Sequence, residues 1–230
     1  MTMRAATDAI FGYLISGFLI LAACEAAYDG SWLFEGEWQP ESIAVFAAIA
    51  GGAGCLISRL SRIFVEQKLL HGCLTAPQEV LLSDHPHGDR SWKQALFPTH
   101  YQPLPQETRD RLATIAERDG LHGSGSALFL HALAAVQEQP AIMRRILMYR
   151  QLSGICRSLC VGLVAVAAIL VSGMIWHSVY ATWGQSDLRK LGYCLLSLFE
   201  AAGMVYRYLK FDRQYVMGVL TGYAELRERG

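Results

Sequence analysis

One short stretch of the chain holds four side chains of the kinds that bind metal ions. Residues 84–89 include Asp84, His85, His87 and Asp89. Histidine and carboxylate ligands would suit a metal-dependent membrane enzyme that acts on a lipid or a nucleotide. Structural metal sites, however, usually draw on separated ligand pairs that a rigid scaffold holds, and the same composition describes a solvated turn. These four residues are therefore metal candidates only, and no metal or other cofactor is predicted.

The remaining reactive side chains do not indicate a catalytic site. The sequence offers no Ser-His-Asp set, no Cys-His pair and no paired carboxylates at a spacing that argues for a hydrolase. His122 and His131 are expected at the surface or in packing. The six cysteines lack the pattern of a disulfide framework, because they fall in apolar spans or on the predicted cytoplasmic side. No catalytic residue is predicted, and a function other than catalysis is favoured.

Two features could bind an anion. A Gly/Ser-rich turn with Gly123 and Gly125 precedes a predicted helix, whose first amides could cradle a phosphate. Its spacing matches neither the Walker loop nor the dinucleotide fingerprint, so a flexible turn is the alternative. A basic band follows, formed by Arg144, Arg145, Arg150 and Arg157. Anionic lipid, at about 1 kcal/mol per basic residue, explains this band without a ligand. The sharper hypothesis is a small anionic ligand, such as a nucleotide, held between the band and the turn.

Two carboxylates interrupt apolar segments. Glu200 lies near the middle of one such segment, where a charge is costly and usually faces a protein interior or an aqueous cavity. Glu200 is therefore a candidate for lining a pore, relaying protons or pairing with a cation. A protonated carboxyl that bonds a neighbouring helix is the alternative. Glu25 lies late in another apolar segment, where its side chain could also reach headgroup water.

Small residues recur in a second apolar segment, where Ala47, Ala50, Gly51 and Gly54 favour close approach of helix backbones. The motif fits an oligomer interface and packing within one subunit equally well.

These residues lie in or beside four apolar blocks. Apolar residues make up 53% of the 230-residue chain and charged residues 17%, below the roughly 25% typical of soluble domains. A bilayer crossing takes about 20 mostly apolar residues. The predicted spans are Ala9 to Tyr28, Ile43 to Phe64, Ser158 to Trp176 and Leu191 to Tyr208. The first exceeds the apolar run of a signal peptide, so a retained helix is expected. The predicted fold is an all-α integral membrane protein with four transmembrane helices.

Basic residues predict the orientation. The connection over residues 29–42 carries acids and no Lys or Arg, whereas the basic band and Arg59 flank the other ends of the spans. The positive-inside rule then puts both termini in the cytoplasm, in a bacterial inner membrane. Arg189 and Lys190 fall on the outer side, against this rule.

The predicted domains are a transmembrane hairpin over 1–64, a small cytoplasmic helical domain over 65–154, a second hairpin over 155–208 and a cytoplasmic amphipathic tail over 209–230. Within the cytoplasmic domain, an irregular or lightly structured insert is expected from Thr75 to Pro105. Helices are expected from Gln106 to Asp119, ended by Gly120, and from Ser126 to Glu138. A further helix should run without a break into the third span.

The chain resembles uncharacterised bacterial multi-span membrane proteins. The resemblance rests on Phe97-Pro98-Thr99, Leu104-Pro105, the stretch 109–112, Tyr149 and Arg157-Ser158-Leu159. Some small proteins of this general plan are membrane effectors in antiviral defence, which is what the resemblance implies here. It transfers no catalytic residue.

The sequence therefore predicts an oligomeric, membrane-embedded effector or channel-like protein, gated by its cytoplasmic domain. Its predicted partners are the lipid bilayer, further copies of itself, and a soluble protein or small anionic ligand at the cytoplasmic domain. The formal net charge of zero gives no reason to expect nucleic acid. The alternatives are a non-conducting membrane anchor that recruits a soluble protein and, less favoured, the metal-dependent membrane enzyme.

Overall fold

The computed structural model of the chain describes residues 3–28, 30, 39–65, 74–83, 92–121, 125–180 and 184–229, with side chains from Gly12 onward. The described residues form helices and connecting turns and contain no β-strand. The helices are α1 Met3–Ala27, α2 Pro40–Ser61, α3 Pro77–Leu82, α4 Trp92–Leu96, α5 Gln106–Arg118, α6 Gly125–Gln137, α7 Pro140–Tyr180 and α8 Gln185–Arg229. The all-α prediction is confirmed for this part of the chain.

Two of these helices contain segments long and apolar enough to cross a membrane. They are Pro40–Val65, which extends α2, and Pro140–Val179 in α7. Within the chain, 17% of the most apolar part of Pro40–Val65 is buried, and 39% of the most apolar part of Pro140–Val179 is buried. A core helix of a soluble protein would be mostly buried. The other two predicted spans lie in α1, where Gly12–Ala27 is a shorter apolar helix, and in α8. The four-span arrangement stays a prediction.

Proline and glycine mark several helix ends. Pro40 opens α2, where its missing amide costs no hydrogen bond. Pro105 precedes α5, and Gly120 ends that helix with a positive φ of 71°. In this left-handed conformation the Leu121 amide donates to the Ala116 carbonyl at 2.9 Å, as in a Schellman cap. The predicted role of Gly120 is confirmed.

The chain divides into two compact units. The first comprises Met1–Glu66 and Gly154–Val205, and the second comprises Gln67–Ser153 and Tyr206–Gly230. In the first unit α1 and α2 approach so closely that a Cβ on Gly17 or Gly54 would overlap the opposing backbone. An apolar cluster joins α1 to α7 and α8 through Ala23, Ala27, Val166, Ala167, Leu170 and Cys194.

The second unit has its own apolar core. Residues of α3, α5, α6, the start of α7 and the end of α8 contribute to it, and its fully buried members are Leu81, Leu112, Ala132, Val136, Val219, Leu220 and Tyr223. The insert predicted to be irregular or lightly structured contains two short helices, α3 and α4, among its described residues. Arg109 and Arg213 hold the neighbouring turns, because their guanidinium groups donate to the carbonyls of Ser83 and Thr99 respectively.

Candidate functional site

The α8 face that carries Glu200 is exposed. The surrounding side chains are apolar, with Phe199 75% and Leu196 56% exposed, and the exposed Glu200 lies among them. A Cβ added to Gly192 or Gly203 would meet no atom within 4 Å. Counting from Gly192, positions 196, 199, 200 and 203 recur at steps of three and four and share one helix face. A carboxylate thus stands in a large apolar surface that the described residues leave uncovered.

Glu25 lies inside the first unit, with only 3% of its surface exposed. Within this unit its side chain is therefore covered by protein. Buried polar side chains accompany it in the same unit. Lys190 is 4% exposed, and its Nζ donates to the Ala27 carbonyl at 3.0 Å. This carbonyl belongs to the last turn of α1, where the helix dipole favours a cation.

Asp187 starts α8. The Gly184 amide donates to its Oδ2 at 3.0 Å, and the Asp187 amide donates to the Gly184 carbonyl at 3.2 Å. The bond to the carboxylate satisfies the amide that precedes the helix, as the third-residue side chain of a capping box does, and the carboxylate also complements the positive end of the dipole.

The bond from Lys190 to the Ala27 carbonyl lies inside the protein, at the last turn of α1. This contact accounts for the presence of a basic residue on the predicted outer side.

The basic band does not lie in one unit. Arg144, Arg145 and Arg150 belong to the second unit and are exposed, whereas Arg157 belongs to the first and is buried. The Arg150 guanidinium lies 5.8 Å from the centroid of the Tyr215 ring. The positive charges of the second unit can thus reach lipid or a ligand, while Arg157 interacts within the protein.

The small residues of α2 differ in their surroundings. Ala50 and Gly54 are buried against α1, Gly51 lies near the Leu14 side chain, and Ala47 is exposed. Of the two readings of this motif, the contacts therefore favour packing within one chain at Ala50 and Gly54.

The predicted loop sites are described only in part. Asp84, His85, His87, Asp89 and Gly123 lie outside the described residues. Among the residues that are described, no group of three His, Cys, Asp or Glu side chains could hold a metal ion. Gly125 is the first residue of α6, and a Cβ there would come within 2.9 Å of the Gln78 carbonyl oxygen. Close packing of α6 on α3 is thus one reason for glycine at this position.

A polar cluster that the sequence did not indicate joins α5, α6 and α8. Its members are Asp119, His131, Tyr223 and Arg227. One oxygen of Asp119, Oδ2, accepts from the Tyr223 hydroxyl, lies 2.6 Å from the Arg227 guanidinium and 3.4 Å from His131 Nε2. Arg227 also lies over the Tyr223 ring, 5.6 Å from its centroid.

The electrostatics of this cluster favour an ionised Asp119. The hydrogen bond from Tyr223 lowers the pKa of Asp119 most, and Arg227 and His131 add to the effect. Burial, followed by the bond to Asp119, raises the pKa of Tyr223. The cluster therefore fixes the end of α8 to α5 and α6, which is a structural role. The only sequence signal was the Tyr223–Arg227 spacing of one helical turn.

Comparison of the chain with models of protein families, with curated proteins and with solved structures finds no match.

Proposed function

We propose that this protein is an oligomeric, channel-like membrane effector in which Glu200 faces a polar path between subunits. The observation that carries the proposal is the exposure of Glu200 within an apolar face of α8. A charged side chain at the centre of a membrane helix costs about 2.5–3.5 kcal/mol when it is inserted. Water in a shared path, or a polar group of a second copy, would offset this cost.

The topology proposed with it has four spans and both termini in the cytoplasm of a bacterial cell. The apolar lengths of α2 and α7 support spans two and three. Spans one and four rest on the apolar part of α1 and on residues 191–208 of α8. In this arrangement the second unit is cytoplasmic and responds to a ligand or a soluble protein. The role in antiviral defence rests on the resemblance alone.

Conductance of the reconstituted full chain tests the proposal. We expect Glu200→Gln to change single-channel conductance or cation selectivity severalfold, because it removes the charge and keeps the shape. Glu41→Gln is the matched control, since Glu41 is exposed in the first turn of α2, outside the apolar part of that helix. The control should conduct like the unaltered protein.

The alternative function gives a different result. A non-conducting anchor would show no conductance under any condition, would tolerate Glu200→Gln and would bind a soluble protein through the second unit. Folded, reconstituted protein that never conducts, with or without a cytosolic extract as trigger, would refute the channel proposal.

A further inference from the structure

A groove of about 550 Å³ lies in the second unit, between the start of α7 and the end of α8. Apolar side chains and glycines line much of it, including Ile142, Ile146, Met217, Gly218 and Gly222. The two glycines let the helices approach, since a Cβ on Gly222 would lie 2.8 Å from Ile142 and one on Gly218 would lie 3.4 Å from Ile146. Apolar surface that remains open to water favours a partner.

The two walls of the groove carry opposite charges. Arg145 stands on the α7 wall and Glu225 on the α8 wall, and both are exposed. No ion pair or hydrogen bond links either side chain to the described part of the chain. Since one positive and one negative charge cancel, the groove does not select a nucleotide or an anionic lipid. It is instead complementary to a surface with the same two charges exchanged.

The same region of a second copy has that property. Copies in one bilayer share an orientation, so a twofold axis along the bilayer normal brings equivalent residues to the same depth. We infer that this groove receives the α7–α8 region of a second copy, with Arg145 of each copy paired to Glu225 of the other. The inference deepens the proposed function and rests on its oligomeric assembly.

The helix geometry permits the reciprocal pair. Ile142 and Gly222 lie at the same level of two antiparallel helices. Arg145 lies three residues after Ile142, and Glu225 lies three residues after Gly222. Because the two helices run in opposite directions, the Cα atoms of Arg145 and Glu225 are separated by about 9 Å along the helix axes. Side chains lean towards the N-terminus of their own helix, and here both lean towards the shared level. Two long side chains can therefore bridge this separation across an interface.

Charge reversal with mixed subunits tests the pair. Full-length Arg145→Glu and Glu225→Arg proteins are purified separately in detergent, and the particle mass, corrected for bound detergent, is measured as the ratio of detergent to protein is raised. Each variant alone places like charges opposite each other in both reciprocal contacts. We expect at least about tenfold weaker association for each. Arg118→Glu is the control, because Arg118 is an exposed arginine of the second unit that lies in α5, outside the groove lining.

Mixing distinguishes pairing between copies from pairing within one. When the two differently tagged variants are combined, every contact between them is attractive, and mixed particles should form at the affinity of the unaltered protein. The double variant Arg145→Glu/Glu225→Arg should also recover self-association. Recovery in the double variant without recovery in the mixture would overturn the inference, because it would assign the pair to a single chain.

The remaining outcomes separate this inference from the proposed function. If the unaltered protein is an oligomer and neither single variant weakens it, the groove is not the interface, while the Glu200 proposal stands. If the unaltered protein is a monomer, both are overturned. The neutral variants Arg145→Gln and Glu225→Gln serve where a charge reversal does not fold, and they should weaken association by less.

Discussion

The contact between α1 and α2 makes Gly54 a position where one added methyl group should be strongly destabilising. A Cβ there would overlap the Tyr13 carbonyl oxygen and would lie 2.8 Å from the Tyr13 Cα. Carbon atoms pack best at about 3.5–4.0 Å, so the helices would have to separate by about 1 Å. Overpacking of this kind costs about 1–3 kcal/mol. Gly54→Ala should lower the free energy of unfolding by that amount.

The same substitution two residues earlier is the control. A Cβ on Gly52 would meet nothing within 4 Å, and alanine is the better helix former by about 0.5–1 kcal/mol. Gly52→Ala should therefore be neutral or stabilising, and the two variants should differ by about 1–4 kcal/mol. Reversible unfolding of the detergent-solubilised protein by SDS, followed by circular dichroism, measures this difference. Equal stability of the two variants, within about 0.5 kcal/mol, would refute the close contact between α1 and α2.

Three further predictions concern the second unit. Burial lowers the pKa of His100 below the ordinary histidine value of about 6.5, so the unfolded state takes up the proton first and stability should fall as the pH drops through 6.5. Thermal unfolding at pH 7.5 and 5.5 should show this loss, and His100→Gln should reduce it. Arg213→Gln removes the donor to the carbonyls of the turn that follows α4, so amide hydrogen exchange should speed up there and stay unchanged in α2. Leu112→Ala empties a fully buried site and should cost about 2–5 kcal/mol, whereas Leu130→Ala, at a side chain 65% exposed, should stay within about 0.5 kcal/mol. Equal effects of the two leucine substitutions would contradict the assigned core.

Features set by local chemistry could be predicted from the sequence. Pro105 and Gly120 bound α5 because each residue restricts or permits one backbone conformation, whatever surrounds it. The apolar stripe of the tail likewise indicated a packed helix, and Val219 and Tyr223 are fully buried in it. Such signals act over a few residues, so the chain itself displays them.

Features set by distant partners could not be predicted. The bond from Tyr223 to Asp119 joins residues 104 positions apart, and nothing near either residue specifies the other. The spacing of Ala50 and Gly54 indicates close approach but does not name the helix that approaches. The position of Glu25 along α1 predicts how deep the residue lies in the membrane. Its burial depends instead on which side of the helix its side chain faces, and on the helices that pack there.

The bond from Lys190 to Ala27 has a consequence for how the chain is made. The two residues are 163 positions apart, so a ribosome adding about 5–20 residues per second needs roughly 8–33 seconds to supply the donor after the acceptor. During that interval the end of α1 lacks this partner. A chain whose synthesis stops before α8 leaves this acceptor without its lysine donor. Lys190, which departs from the positive-inside rule, can thus form this bond only after α8 has been synthesised.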